Sequence, residues 1–249
     1  MQRWSGRVAV VTGASAGIGA AIAGELVKKG LKVVGLARRV ERVEENAKLL
    51  RSEPGKLHPL KCDVSNESDV KDAFKWVKSN LGVVDILVNN AGVCDFNNLT
   101  DGPPEKWRNI IDINVLGLSM CTREAIQSMR EKAVDDGHII NINSVLGHGT
   151  PAALFMYAAS KHAVTVLTEG LRRELVQQKS KIRVTSISPG AVKTEFIAAS
   201  GVPKEFLEHL KNIPFLEARD VADSVMYVLG TPPHVQIHEL IIKPVGEEW

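Results

Sequence analysis

The sequence predicts an α/β protein built on a doubly wound parallel sheet. Short apolar runs rich in β-branched residues alternate with longer amphipathic stretches along the whole chain. The strand-like runs are apolar throughout, as strands covered on both faces must be. The first of them opens into a glycine-rich turn followed by a helix, and right-handed crossovers between successive strands then wind the sheet outward in both directions.

Residues 8–11 read as the first strand, ended by Thr12-Gly13. Residues 20–29 read as a helix that Gly30 closes. Strand 32–36 and the charged helix 40–51 follow, stopped before Pro54-Gly55. Strand 57–62 is weaker in pattern. Helix 65–80 has Ser65 or Asn66 as its cap. Residues 86–88 form a short strand, and a long helix runs from Pro104 past Asn114 towards Lys132. Strand 138–143, helix 157–178, strand 183–187, helix 218–229 and strand 236–242 complete the series. No repeat or linker-like break interrupts it, so one domain over 1–249 is expected. The long irregular stretch 189–215 suits a substrate lid.

The chain has 249 residues, 44% of them hydrophobic, and a formal net charge of only +2 with both signs interspersed. That balance speaks against nucleic acid as a partner, which demands a concentrated basic face. No apolar run approaches the roughly 20 residues of a membrane span. The start of the chain passes too quickly into a strand to hold a signal peptide, and its end, Gly-Glu-Glu-Trp, is neither a prenylation nor a peroxisomal signal. Cys62, Cys94 and Cys121 are sparse and odd in number. They read as reduced, buried packing residues of a cytoplasmic protein, with no metal site.

The turn Thr12-Gly13-Ala14-Ser15-Ala16-Gly17-Ile18-Gly19 lies between a strand and a helix. There Gly13, Ser15, Gly17, Ile18 and Gly19 would let backbone N–H groups and a helix N-terminus approach a pyrophosphate. Its Gly-x-x-x-Gly-x-Gly spacing differs from the common dinucleotide fingerprint. A bare tight connection is the plain alternative, but its place after the first strand favours a cofactor. The second strand ends in Ala37-Arg38-Arg39, where NAD enzymes carry an acid for the ribose hydroxyls. Two guanidiniums and no carboxylate suit a 2′-phosphate, hence NADP(H). The bland alternative, a solvated surface pair, suits Arg39 better than Arg38.

Tyr157 and Lys161 are four apart in a helical stretch and share one face, and Ser144 closes the fifth strand. A snorkelling surface lysine would be the ordinary reading of such a pair. Carbonyl reduction explains the set better. A proton must reach oxygen as hydride reaches carbon, and a free tyrosine, with a pKa of about 10, needs a nearby cation to favour its phenolate. Lysine can also donate to the nicotinamide ribose, and a serine hydroxyl can hold the substrate oxygen.

These residues belong to a denser pattern. Residues 12–19, Cys62-Asp63-Val64, Asn89-Asn90-Ala91-Gly92, Asn114, Ser144, Tyr157-Ala158-Ala159-Ser160-Lys161 and Ser188-Pro189-Gly190 follow one another in an order that resembles the short-chain dehydrogenase/reductase family, over almost the whole chain. The resemblance implies a seven-stranded Rossmann sheet and fixed roles. Tyr157 would be the general acid/base, Lys161 its modulator and ribose anchor, and Ser144 the holder of the substrate oxygen. Asn114 would kink its helix and hold a water of a proton relay from Lys161. Asp63 and Val64 would touch adenine, and Asn90, Ala91 and Gly92 would line the cleft. Pro189, Gly190, Val192 and Thr194 would hold the nicotinamide, with Thr194 near its carboxamide. It also implies a homodimer or homotetramer paired through the helices carrying Asn114 and Tyr157. A narrower likeness, resting on residues 37–39 and 190–196, is to insect farnesol dehydrogenases and mammalian NADP-dependent reductases of steroids and small carbonyls.

The expected function is therefore NADP(H)-dependent alcohol or carbonyl oxidoreduction. A catalytically idle NADP(H) sensor or interaction protein would not need Asn114, Ser144, Tyr157 and Lys161 together. A dehydratase or epimerase usually carries a longer substrate domain than this length allows. For the substrate, Val192, Phe196, Ile197, Val202, Phe206, Leu207, Leu210, Ile213 and Phe215 in the lid are joined by Val145, Leu146 and His148 after Ser144, and by Val93 and Phe96. The lid's Lys193, Lys204 and Lys211 are matched by Glu195, Glu205 and Glu208, so no anion clamp forms. If these segments converge, with Leu146 and Phe196 beside Ser144 and Tyr157, the pocket is mostly apolar and takes an isoprenoid alcohol such as farnesol, a steroid or another ketone.

Overall fold

The structure is a computed structural model that describes residues 1–131, 135–150, 154–202 and 213–247. Its strands are β1 (Val8–Thr12), β2 (Lys32–Ala37), β3 (Lys56–Lys61), β4 (Ile86–Asn89), β5 (His138–Ile142), β6 (Arg183–Pro189), β7 (Val192–Lys193), β8 (Leu216–Glu217) and β9 (Glu239–Ile242). Its helices are α1 (Gly17–Lys28), α2 (Val40–Leu49), α3 (Glu67–Asn80), α4 (Pro104–Ile111), α5 (Leu118–Glu131), α6 (Phe155–Gln177), α7 (Glu195–Ala198) and α8 (Ala218–Gly230).

Among the described residues, seven strands form one sheet in the order β3-β2-β1-β4-β5-β6-β9, every pair parallel. This is the doubly wound sheet that the sequence predicts. Alternate residues of β1 serve the two sides. Ala9 and Val11 pack with Ile22, Leu26 and Val225 from α1 and α8, while Val8 and Val10 pack with Val70, Cys121 and Met129 from α3 and α5. With both faces covered, no residue of the strand gains by being polar, which is why the run is continuously apolar. The direction of winding reverses between β1 and β4, and a crevice opens there beyond the carboxyl ends of the strands.

Several boundaries differ from the sequence reading. Helix α1 starts at Gly17, inside the turn. Its end follows expectation, with Gly30 N–H donating to Val27 O at 2.9 Å and Leu31 N–H to Leu26 O at 3.2 Å. Asn66, rather than Ser65, caps α3, its side chain accepting from Ser68 and Asp69 N–H. Strand β3 is not a buried strand. It lies at the sheet edge, with Leu57 buried and its other side chains half-buried or exposed, and an edge tolerates Pro59, which has no N–H for a second neighbour.

The long helix after Pro104 is three pieces, with a π-helical turn over Asp112–Gly117 between α4 and α5. Its expected end at Lys132 lies outside the described residues. Strand β6 continues to Pro189. The stretch 189–215 is not wholly irregular, because β7 pairs with β8 and α7 follows β7. Residues 236–238 add no strand. They are tied to β6 by Gln236 Oε1, which accepts from Val184 N–H, and by Ile237 O, which accepts from the Thr185 hydroxyl. Among the described residues, no helix is long and apolar enough to cross a membrane.

Candidate active site

The carboxyl ends of β1, β2, β4, β5 and β6 open onto one cavity of about 450 Å³. At one end lies the glycine turn. Gly13 has φ +69°, and a Cβ there would come within 2.9 Å of the Ala91 Cα. Thr12 Oγ1 accepts from the N–H groups of Asn90 and Ala91 at 3.0 and 2.9 Å, and Asn90 Nδ2 donates to Thr12 O and Gly13 O. The two loops that frame the crevice are thus locked together by the side chains of Thr12 and Asn90, each bonded to the other loop's backbone. Gly13, Ser15, Gly17 and Ile18 line the cavity; Gly19 does not. A Cβ on Gly19 would meet Gly13 O at 2.4 Å, so this glycine permits the close helix–turn approach rather than facing a ligand.

Arg38 and Arg39 lie at the same end, with Asp63 and Val64 beside them. Arg39 is 3.5 Å from Glu195, and Arg42 is nearer to the same carboxylate at 2.8 Å. Arg38 makes no ion pair with the described residues and stays exposed. The Asp63 carboxylate accepts from Ser65 N–H and its hydroxyl, which holds the turn into α3.

Ser144, Tyr157 and Lys161 meet at the other end, all buried and all lining the cavity. Lys161 Nζ donates to Ile142 O at 2.9 Å and lies 5.6 Å from the centre of the Tyr157 ring. Burial dominates both groups. It raises the Tyr157 phenol well above its ordinary value, with Cys94 adding to the rise and a hydrogen bond from Ser144 opposing it. It lowers the Lys161 ammonium to about 8, Cys94 acting in the opposite sense. The sequence reading expected a lowered phenol. The shift runs the other way, because burial has taken water from the phenol.

Asn114 sits in the π turn, 2% exposed, and does not line the cavity. Its Oδ1 accepts from Val93 N–H at 2.8 Å, and its Nδ2 donates to Val93 O at 2.9 Å and to Ser160 Oγ at 3.0 Å. Ser160 Oγ in turn donates to Tyr157 O at 2.7 Å. The amide's two donors are spent on protein groups, so this side chain braces the loop after Gly92 against the helix of Tyr157.

Pro189, Gly190, Val192 and Thr194 line the wall between the two ends. The Thr194 hydroxyl accepts from Phe196 N–H at 3.3 Å and starts α7. Beyond it, Leu146 and Tyr157 pack with Val145, Leu154, Phe196 and Cys94, and the Tyr157 and Phe196 rings lie 5.8 Å apart at 56°. This is the apolar wall that the sequence suggested. Val93, Phe96, Ile197, Val202 and Ile213 also line the cavity, whereas Phe215 does not. His148 faces elsewhere, with Nε2 3.1 Å from Ser188 Oγ. Phe206, Leu207 and Leu210 lie outside the described residues, as do Lys204, Lys211, Glu205 and Glu208.

Three wall features escaped the sequence reading. Cys94 is half-buried in the wall, not a core residue like Cys62 and Cys121. Burial pushes its thiol up to about 12, so it stays protonated. Leu154 had no local signal, since it precedes the helix by one residue. Glu247 accepts from Ala191 N–H at 3.1 Å and braces the loop after Pro189 from 56 positions away.

The profile of the family described as short chain dehydrogenase matches residues 7–203. A farnesol dehydrogenase of Aedes aegypti is 52% identical over 255 residues, covering 100% of both chains. Dehydrogenase/reductase SDR family member 11 of Bos taurus is 50% identical, covering 99% of each. Among solved structures, the closed form of a serine dehydrogenase complexed with NADP+ superposes with a TM-score of 0.88 at 32% identity, covering 97% of this chain and 96% of that one. The farnesol dehydrogenase part of the narrower likeness is thereby found among the relatives. A doubly wound sheet of the right order, a site at its switch point and these full-length likenesses agree: the chain belongs to the short chain dehydrogenase family and is an oxidoreductase.

Proposed function

We propose that the chain is an NADP(H)-dependent alcohol dehydrogenase or carbonyl reductase acting on a small apolar substrate, such as farnesol, a steroid or another ketone. One observation carries the reading: a single groove has Arg38, without an ion pair among the described residues, and Ser144, Tyr157 and Lys161 against an apolar wall. The farnesol dehydrogenase relative and the NADP+-bound neighbour support the substrate class and the cofactor.

The groove suits the dinucleotide. Gly13 and Gly17 have φ of +69° and +54°, and a Cβ on Gly17 would press on Thr194 at 3.1 Å, so the turn takes a form that favours glycine and suits a diphosphate-binding turn. Gly13, Ser15, Gly17 and Ile18 would hold that diphosphate, with Gly19 acting through packing. Arg38 takes the 2′-phosphate and Arg39 is its lesser partner. Asp63 and Val64 flank the adenine, Asn90, Ala91 and Gly92 line the cleft, and Pro189, Gly190, Val192 and Thr194 bound the nicotinamide. The cofactor supplies or accepts the hydride.

This chain's own residues handle the proton. Tyr157 gives its phenolic proton to the substrate oxygen in reduction and takes it back in oxidation, and Ser144 holds that oxygen beside the phenol. Lys161 offers its ammonium to the ribose. Asn114 contributes by fixing the loop after Gly92 against α6. Leu146 and Phe196 exclude water from the substrate side. The chain works as one domain over 1–249 with residues 189–215 as its lid. It functions in the cytoplasm, where its free cysteines stay reduced. It pairs with copies of itself through the helices of Asn114 and Tyr157, where Leu116 and Val166 are exposed.

The test is turnover of a panel of alcohols and carbonyls with NADPH and NADP+, followed by absorbance, in the wild type and Tyr157→Phe. The wild type should turn over apolar members, and the variant should lose at least about a hundredfold in kcat while retaining the cofactor. An inactive wild type, or a folded Tyr157→Phe variant of normal rate, overturns the reading.

A further inference from the structure

Glu195 occupies an unusual place. It opens α7, directly after Thr194 and directly before Phe196, whose ring leans on Tyr157. Its carboxylate reaches the arginines that follow β2. Arg42 Nη1 donates to both of its oxygens, at 2.9 and 2.8 Å, and Arg39 Nη1 stands 3.5 Å from one of them. Arg42 lies in the first turn of α2, one turn beyond Arg39. Glu195 and Arg39 line the cavity and Arg42 does not, so the bridge lies at the rim of the groove, between the start of α7 and the start of α2.

We propose that Glu195 and Arg42 form an ion-pair strap that closes the groove over bound cofactor and must open for the cofactor to leave. This rests on the reading that the groove holds a nicotinamide dinucleotide. The division of labour among the arginines favours a strap over a mere counter-charge. The short contacts go to Arg42, the arginine farthest along α2, while Arg38 is left to the phosphate. Both arginines hold the Glu195 carboxyl below the usual carboxylate range, Arg42 foremost, so the strap is charged throughout the neutral range. Through Phe196, opening it also loosens the apolar wall beside Tyr157. Glu195 and Arg42 are thus positioning residues that touch no reacting atom.

The experiment is stopped-flow release of NADPH and of NADH from the full chain, in the wild type, Glu195→Gln, Arg42→Gln and the double variant. Exposed ion pairs are modest, so each single substitution should speed release of both cofactors by about two- to fivefold. The double variant should be no faster than the faster single. Raised salt should speed NADH release from the wild type but not from the double variant. Unchanged release in either single variant overturns the strap, as does additive behaviour. So does slower NADPH release in Glu195→Gln with NADH unaffected, which would make Glu195 a rival of the 2′-phosphate. A chain that binds neither cofactor overturns the reading of the groove itself; binding with release indifferent to both substitutions overturns only the strap. The sites are exposed, and an unchanged Tm in each variant separates these effects from loss of fold.

Discussion

Replacing Asn114 with alanine separates a bracing residue from a relay residue. The substitution deletes three hydrogen bonds: Val93 N–H to Oδ1, Nδ2 to Val93 O, and Nδ2 to Ser160 Oγ. The first two leave a half-buried backbone donor and acceptor that water can partly recover, at about 0.5–1.5 kcal/mol each. The third is buried, and Ser160 keeps its bond to Tyr157 O, so about 1 kcal/mol is the fitting figure there. The sum is about 2–4 kcal/mol. For a chain of this length, each kcal/mol lowers Tm by about 2–4 °C, so a fall of roughly 5–15 °C is expected. Because the same bonds set the loop after Gly92 against α6, kcat/KM should fall as well. Differential scanning fluorimetry and steady-state kinetics on the same preparation read both. A Tm within about 2 °C of wild type would refute the bracing argument, since no network of this kind could then contribute its expected share. A fall in kcat/KM with Tm unchanged would return Asn114 to a pure relay role.

Replacing Arg38 with glutamine should weaken NADPH by about tenfold or more while leaving NADH nearly unchanged, because only the former carries the phosphate; equal loss in titrations of both would refute the assignment. Lys161, lowered to about 8, is charged below that pH and neutral above it. The kcat/KM for carbonyl reduction should therefore be level near pH 7 and fall as pH rises through about 8, and a profile flat to pH 9.5 would contradict an ammonium role. Along a series of straight-chain alcohols, each methylene buried against Phe196 and Leu146 is expected to add about 0.8 kcal/mol, roughly fourfold in kcat/KM, until the pocket is full. A response independent of chain length would show that the wall packs the lid rather than the substrate. Gly19→Ala should cost about 1–3 kcal/mol, since its Cβ would press on the Gly13 carbonyl, a backbone atom that cannot swing away; an unchanged Tm would argue otherwise.

The sequence by itself determined the sheet, its winding and the residues at its carboxyl ends. Short apolar runs rich in β-branched residues and bounded by turn signals read as strands covered on both faces, and one-turn spacing puts Tyr157 and Lys161 on one side of a helix wherever that helix lies. It also placed the arginines at the end of β2, because strand ends are marked by local chemistry. What it could not decide depends on groups distant in the chain. The resemblance implied a kink at Asn114, but not the bonds of its side chain to Val93 and Ser160, 21 and 46 positions away. Glu247 under Ala191 and Glu195 across to Arg42 join segments that share no periodicity. Cys94 reads like any small packing residue until the wall is assembled around it. The largest difference was the direction in which the Tyr157 phenol is shifted. Spacing shows that a cation is near a phenol, but only the folded structure shows that both are buried and that the ammonium is turned to a backbone carbonyl. Desolvation, which no sequence pattern encodes, is then the largest influence on both.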